Sequence, residues 1–206
     1  MALLLSLFIN INLCFPIHGQ EDPAWVDAIC KISTGSSGGS GVLFQETNGI
    51  GWIATNYHVV TTRPSASATW DNGYKTSGKI IWKDRNADLA VLECPIPVGS
   101  VVLPIAPKEE MPRSGDIVQL AGYGLRGTTR KRVLTLWNAP VNGYLQKPND
   151  ADQIDVNTNA ISGDSGGAII YQGKLVAILW GGPTNGFRGQ MTSVRGCVGN
   201  YLTRTL

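Results

Sequence analysis

Apolar and polar residues alternate with a period of two through short stretches of this chain, and turn-forming residues separate the stretches. From Trp25, the set Val26, Ala28, Cys30 and Ile32 alternates with Trp25, Asp27, Ile29 and Lys31. That period predicts a half-buried strand. Strand-like runs follow at 41–44, 52–55, 66–70, 79–82 and 89–93. Later runs occupy 117–121, 128–137, 153–158, 168–171, 175–180 and 190–194, with a hairpin expected around Gln172-Gly173. Short strands separated by turns such as Asp71-Asn72-Gly73 predict an all-β, barrel-like chain.

Three segments interrupt the pattern. Ser33 to Gly41 is rich in Ser and Gly. It lacks the Gly-Lys-Ser/Thr ending of a phosphate-binding loop and reads as a flexible hairpin. Residues 95–112 hold Pro95, Pro97, Pro104, Pro107 and Pro112. Proline cannot donate to a central ladder, so this segment is a connector between two halves. Residues 122–127 spell G-x-G-x-x-G, but no helical pattern opens there. A dinucleotide site needs that helix, so a strand–loop–strand is expected instead.

The 206 residues are 43% hydrophobic and 16% charged, as in a globular chain. A formal net charge of +2 gives no argument for a nucleic-acid or anionic-membrane partner. The basic cluster Arg126, Arg130, Lys131 and Arg132 could meet an acidic partner, although a solvated loop is the default for so few charges. Residues 1–19 carry an apolar run followed by Pro16 and Gly19, the pattern of a signal peptide, with an uncleaved anchor as the alternative. The mature chain would then start near Gln20 and be secreted or periplasmic. Cys30, Cys94 and Cys197 would remain, an odd number that allows at most one internal disulfide. With no C-x-x-C and no spare histidine, neither zinc nor another cofactor is expected.

The candidate chemistry centres on Ile161-Ser162-Gly163-Asp164-Ser165-Gly166-Gly167-Ala168. A glycine-flanked serine suits nucleophilic attack, and the N–H groups of Gly163 and Ser165 can converge on a developing oxyanion. A serine hydroxyl needs a base. The chain has two histidines, and His18 falls in the leader, which leaves His58. Asp88 opens the run Leu89 to Glu93 and is the candidate orienting acid. The order His58, Asp88, Ser165 is one of the known orders of a serine triad.

The blocks TNYHVV, ADLAVLE and GDSGG, with the run SGGSGVLF ahead of them, resemble the trypsin-like serine peptidases and their HtrA-like branch. The resemblance spans about Gly38 to Val194. It implies two six-stranded antiparallel β-barrels, at about 24–103 and 112–206 within a domain of 20–206, with the active site between them. It implies a serine endopeptidase acting through an acyl-enzyme on protein or peptide substrates, with Asn159 at the floor of the specificity pocket. Gly181 and Gly189 would line the walls of that pocket, and Trp180 and Gly181 would lie on the strand that pairs with substrate. No carboxylate lies at the floor, so a preference for Lys or Arg is not implied. The PDZ domain usual in HtrA-like proteins has no counterpart in the sequence after the last strand. Asp164 resembles trypsin rather than the HtrA branch. In trypsin-like zymogens its counterpart pairs with a new Ile-Val-Gly-Gly terminus, which has no counterpart here, so Asp164 needs another partner, for which an arginine such as Arg126 is a candidate. Leu179 stands where trypsins carry a serine that supports the triad acid, so Asp88 must rely on other donors, with Thr55 on the His58 strand as a candidate. The alternative to an enzyme is a non-catalytic peptide-binding module on the same fold.

Overall fold

The structure, a computed structural model, describes residues 23–127, 131–145, 152–181, 193–199 and 202, with the main chain alone at 181, 193–195, 197 and 198. The leader, Arg130 and Gly189 lie outside the described residues. The first half holds β1 (Ile29–Ser33), β2 (Gly38–Thr47), β3 (Ile50–Thr55), α1 (Tyr57–Val60), β4 (Ser65–Thr69), β5 (Lys75–Asp84) and β6 (Leu89–Pro95). The second half holds β7 (Ile117–Arg126), β8 (Lys131–Leu145), β9 (Gln153–Asn157), β10 (Ala168–Tyr171), β11 (Lys174–Gly181) and β12 (Ser193–Val198).

Each half closes into an antiparallel barrel of six strands. The first runs β1-β2-β3-β6-β5-β4, closed by β4 on β1; the second runs β7-β8-β9-β12-β11-β10, closed by β10 on β7. The two orders are the same pattern repeated. Closure removes the free strand edges that a sheet built from such short strands would otherwise expose.

Alternation along β6 and β10 is replaced by continuous burial, because these strands lie inside the packed centre. Leu89, Ala90, Val91 and Leu92 are all buried, as are Ala168, Ile169 and Ile170. One core cluster fills the first barrel and takes in Ala121, Tyr123, Ala168 and Ile178 from the second, so the barrels share apolar packing across their junction. A second cluster, with Val118, Leu120, Ile154 and Val176, fills the other barrel. The connector is fastened to both. Leu103 N–H donates to Leu43 O at 3.0 Å, and Ala106 N–H to Leu175 O at 2.9 Å.

Three expectations are corrected. Trp25 to Ala28 is not strand: Ala24–Ala28 forms a 3-10 turn, because Pro23 sets φ at −57° and its carbonyl accepts the Val26 N–H at 2.9 Å. The Ser/Gly loop is shorter than expected, since β2 already begins at Gly38. The strand expected to end at Trp137 runs on to Leu145, carrying Pro140 opposite Ile117 and a register shift between Val141 and Gly143. The bulge and the edge-like pairing near it tolerate the proline.

Candidate active site

His58 sits on α1, a single helical turn that follows β3 immediately, and Asp88 sits in the residue before β6. β3 and β6 are hydrogen-bonded neighbours, with Thr55 opposite Ala90, so the two side chains emerge at the same barrel end. The first turn of a helix leaves its N–H groups without internal partners, and Asp88 takes them. Its carbonyl accepts from Tyr57 N–H at 3.1 Å and from Asn56 Nδ2 at 2.9 Å. Its Oδ1 accepts from His58 N–H at 2.9 Å, and its Oδ2 lies 2.7 Å from His58 Nδ1. Asp88 adopts φ 54°, a left-handed conformation that Asp tolerates better than most residues. The imidazole is half exposed and the carboxylate mostly shielded, with side-chain exposures of 49% and 18%. Thr55 does not serve Asp88: its hydroxyl donates to Ser40 O at 2.7 Å. The Asp88 oxygens are instead occupied by α1 itself.

Ser165 lies in the turn before β10, partly exposed. The loop is fixed on several sides. Gly166 N–H donates to Leu179 O at 2.7 Å, Leu179 N–H donates back to Gly167 O at 2.9 Å, and Gly167 N–H donates to Asp164 O at 2.9 Å. Gly163 takes φ 100°, where a Cβ would be strained and would meet Tyr123 O at 2.5 Å. Ser162 O accepts from Leu125 N–H at 2.8 Å. A trans peptide points its N–H opposite its C=O, so the Gly163 N–H is directed away from β7.

Behind the loop, Asp164 is fully buried and paired within the chain. Arg126 Nη2 donates to both its oxygens, at 3.1 and 3.0 Å, and Ile161 N–H donates to Oδ2 at 2.9 Å. Arg126 is the partner that the sequence suggested. Its guanidinium also lies 5.3 Å over the Trp137 ring and donates through Nε to Thr135 Oγ1 at 2.7 Å. Burial pushes the Asp164 carboxyl above the usual carboxylate range, and the Ile161 N–H, Arg126 and Gly124 N–H pull it back. The first two glycines of the G-x-G-x-x-G motif make room for this carboxylate: a Cβ would lie 3.0 Å from Asp164 Oδ1 at Gly122 and 2.6 Å from it at Gly124. Arg132 crosses to the other barrel, donating to Ile32 O at 3.1 Å. Arg126 and Arg132 are thus engaged inside the molecule, while Lys131 is exposed.

Of the pocket residues, Asn159 is exposed in the loop after β9, and Trp180 and Gly181 end β11. The β11–β12 register shifts between Leu179 and Gly181, which takes Trp180 out of the ladder. Sequence reasoning missed Ser40 and Asn56. Asn56 precedes His58 in the block TNYHVV, and Ser40 sits within a glycine run; their roles depend on partners far along the chain.

Residues 39–178 match the trypsin-like peptidase domain. The chain belongs to that family. A "Serine protease HtrA-like" protein of Staphylococcus aureus is 29% identical over 152 residues, 68% of this chain and 20% of the relative. This peptidase domain thus spans about a fifth of the length of the relatives it matches. Solved structures agree in fold. The Rv3671c protease of M. tuberculosis, in an inactive form, gives a TM-score of 0.70 at 18% identity, over 88% of this chain and 85% of that one. A serine endoprotease from Yersinia pestis gives 0.69 at 22% identity, over 88% and 62%. The HtrA-type protease AlgW with a decapeptide gives 0.69 at 17%, over 86% and 62%.

Proposed function

We propose that this peptidase domain is a serine endopeptidase working through His58, Asp88 and Ser165. The observation that carries the reading is the double grip of Asp88 on His58, one oxygen on the ring Nδ1 and the other on the main-chain N–H. That grip fixes the tautomer and directs Nε2 outward as the base. Ser165 Oγ attacks the peptide carbonyl and its proton passes to His58 Nε2. The tetrahedral oxyanion is held by the N–H groups of Gly163 and Ser165. Collapse returns the proton to the leaving amine and leaves an acyl group on Ser165, which water then hydrolyses with His58 again as base.

The substrate is an extended peptide. It pairs with the end of β11 at Trp180 and Gly181, main chain to main chain, and its side chain reaches the pocket floored by Asn159. The AlgW neighbour, solved with a decapeptide, supports a peptide ligand on this fold. Residues 1–19 act as a signal peptide that places the domain outside the cytoplasm. The test is a cleavage profile of denatured protein digested by the purified domain. Internal cuts that do not concentrate after Lys or Arg, and that vanish in Ser165→Ala, are expected. Turnover that survives Ser165→Ala overturns the assignment.

A further inference from the structure

One buried hydroxyl in the first barrel reaches the part of the second barrel where an oxyanion would form. Ser40 on β2 is fully buried, between Gly39 and Gly41. Its Oγ donates to Gly163 O at 2.8 Å and accepts from Tyr123 N–H at 2.8 Å. Its N–H donates to Ser165 O at 2.7 Å, and its carbonyl accepts from Thr55 Oγ1 at 2.7 Å. Every hydrogen-bonding group of the residue is therefore used, and three of the four bonds cross to the other barrel. A hydroxyl has one proton to give, and Ser40 gives it to Gly163.

The consequence follows from peptide geometry. Each N–H proposed to bind the oxyanion belongs to a residue flanked by two peptide planes. At Gly163, the preceding plane is held by Leu125 N–H on Ser162 O, and the following plane by Ser40 Oγ on Gly163 O. At Ser165, the preceding plane is held by Gly167 N–H on Asp164 O, and the following plane by Ser40 N–H on Ser165 O. Ser40 thus supplies a restraint from the opposite barrel at both donors, beside the Asp164 N–H on Ile161 O at 3.0 Å and the Gly166 N–H on Leu179 O at 2.7 Å, which hold the same two following planes from within the second barrel. The approach is close enough that a Cβ at Gly39 would lie 2.5 Å from Ser165 O. An N–H donor contributes to catalysis only while it is aimed at the position the oxyanion will occupy.

We infer that Ser40 is a positioning residue for the oxyanion site: its hydroxyl locks the Gly163 peptide from the opposite barrel, so that docking of the two barrels and assembly of the site are one event. The inference rests on the proposed serine-peptidase reading and adds a residue to it. The test compares wild type with Ser40→Ala, and with Ser114→Ala as a control. Ser114 Oγ donates to Asn142 O at 2.8 Å, a hydroxyl–carbonyl bond far from this loop. Losing an oxyanion donor outright costs about 10²–10³ in kcat. A donor loosened on one side should cost less, so kcat is expected to fall by about 10–100-fold while KM changes less than about twofold. Affinity for a peptide boronic acid, whose adduct places an oxygen in the oxyanion site, should fall in parallel with kcat/KM. Ser114→Ala should match wild type in both. If Ser40→Ala does not fold, Ser40→Gly is read the same way, since glycine already flanks the position. A folded variant with wild-type kcat, or one in which only KM rises, overturns the positioning role and leaves the peptidase reading standing. A wild-type domain without turnover overturns both.

Discussion

Replacing Arg126 by Met removes the cation from Asp164 and keeps an unbranched apolar stem against Trp137. The carboxylate is fully buried, whereas the arginine side chain is 30% exposed. Removing one partner of a buried pair costs about 3–5 kcal/mol, because the remaining charge is left uncompensated. The partial exposure of the arginine and the surviving Ile161 N–H bond place this case near the lower end, about 3 kcal/mol. For a chain of this size, a loss of about 1 kcal/mol lowers Tm by about 2–4 °C, so a fall of about 6–12 °C is expected. The pH dependence has a definite sign. Burial already pushes this carboxyl up, and removing a group that pulls it down moves it further up. A carboxyl raised in the folded state is favourable when protonated and costs stability as pH rises through its folded pKa. The deficit of Arg126→Met relative to wild type should therefore shrink in acid and grow towards neutrality. Urea titrations at two pH values, with Asp164→Asn in both backgrounds, complete the cycle. The double variant should recover part of the loss. A deficit below about 1 kcal/mol that ignores pH is the behaviour of a surface ion pair and would refute the reasoning.

Two further outcomes follow from the same contacts. Asp88→Asn should fold normally but lose about four orders of magnitude in kcat, the loss seen when a triad aspartate becomes an amide that favours the wrong histidine tautomer; a loss of less than about tenfold in steady-state kinetics would show that Asp88 does not orient His58. Cys30 and Cys94 should resist alkylation in the native protein at mildly alkaline pH, since burial raises the Cys30 thiol well above its usual value and pushes Cys94 up to about 12. Peptide mass spectrometry after iodoacetamide checks this, with rapid labelling of either as the contrary result.

The barrels and the site differ in how far the sequence discloses them. The strands at 52–55, 89–93, 168–171 and 175–180 are legible because their apolar runs are bounded by turn residues, and the structure finds β3, β6, β10 and β11 there. His58, Asp88 and Ser165 stand out because few residue types do this chemistry and the chain has few histidines. The pairing of Asp164 with Arg126 can be anticipated because a buried acid needs a cation and the expected N-terminal one is missing. What hides is whatever depends on contacts between remote segments. Ser40 lies 123 positions from Gly163, and within SGGSG it carries the composition of a loose loop. Thr55 sits beside the catalytic turn, yet its hydroxyl turns to the neighbouring strand rather than to Asp88, because the helical turn had already filled both carboxylate oxygens. The 3-10 turn at Ala24–Ala28 mimics the start of a strand because Asp27 falls between the apolar Val26 and Ala28, and Pro23 before it signals otherwise.

The central claim is that Ser165 is activated by His58 and Asp88. A fluorophosphonate tests it directly, because it labels a serine quickly only when a base removes the proton and an oxyanion site receives the phosphonyl oxygen. Intact mass and peptide mapping should show one adduct per chain, on Ser165, lost in Ser165→Ala and slowed by orders of magnitude in His58→Ala. A folded wild-type domain that takes no label, or takes it elsewhere at the same rate in His58→Ala, would contradict the account and leave a non-catalytic peptide-binding module in its place.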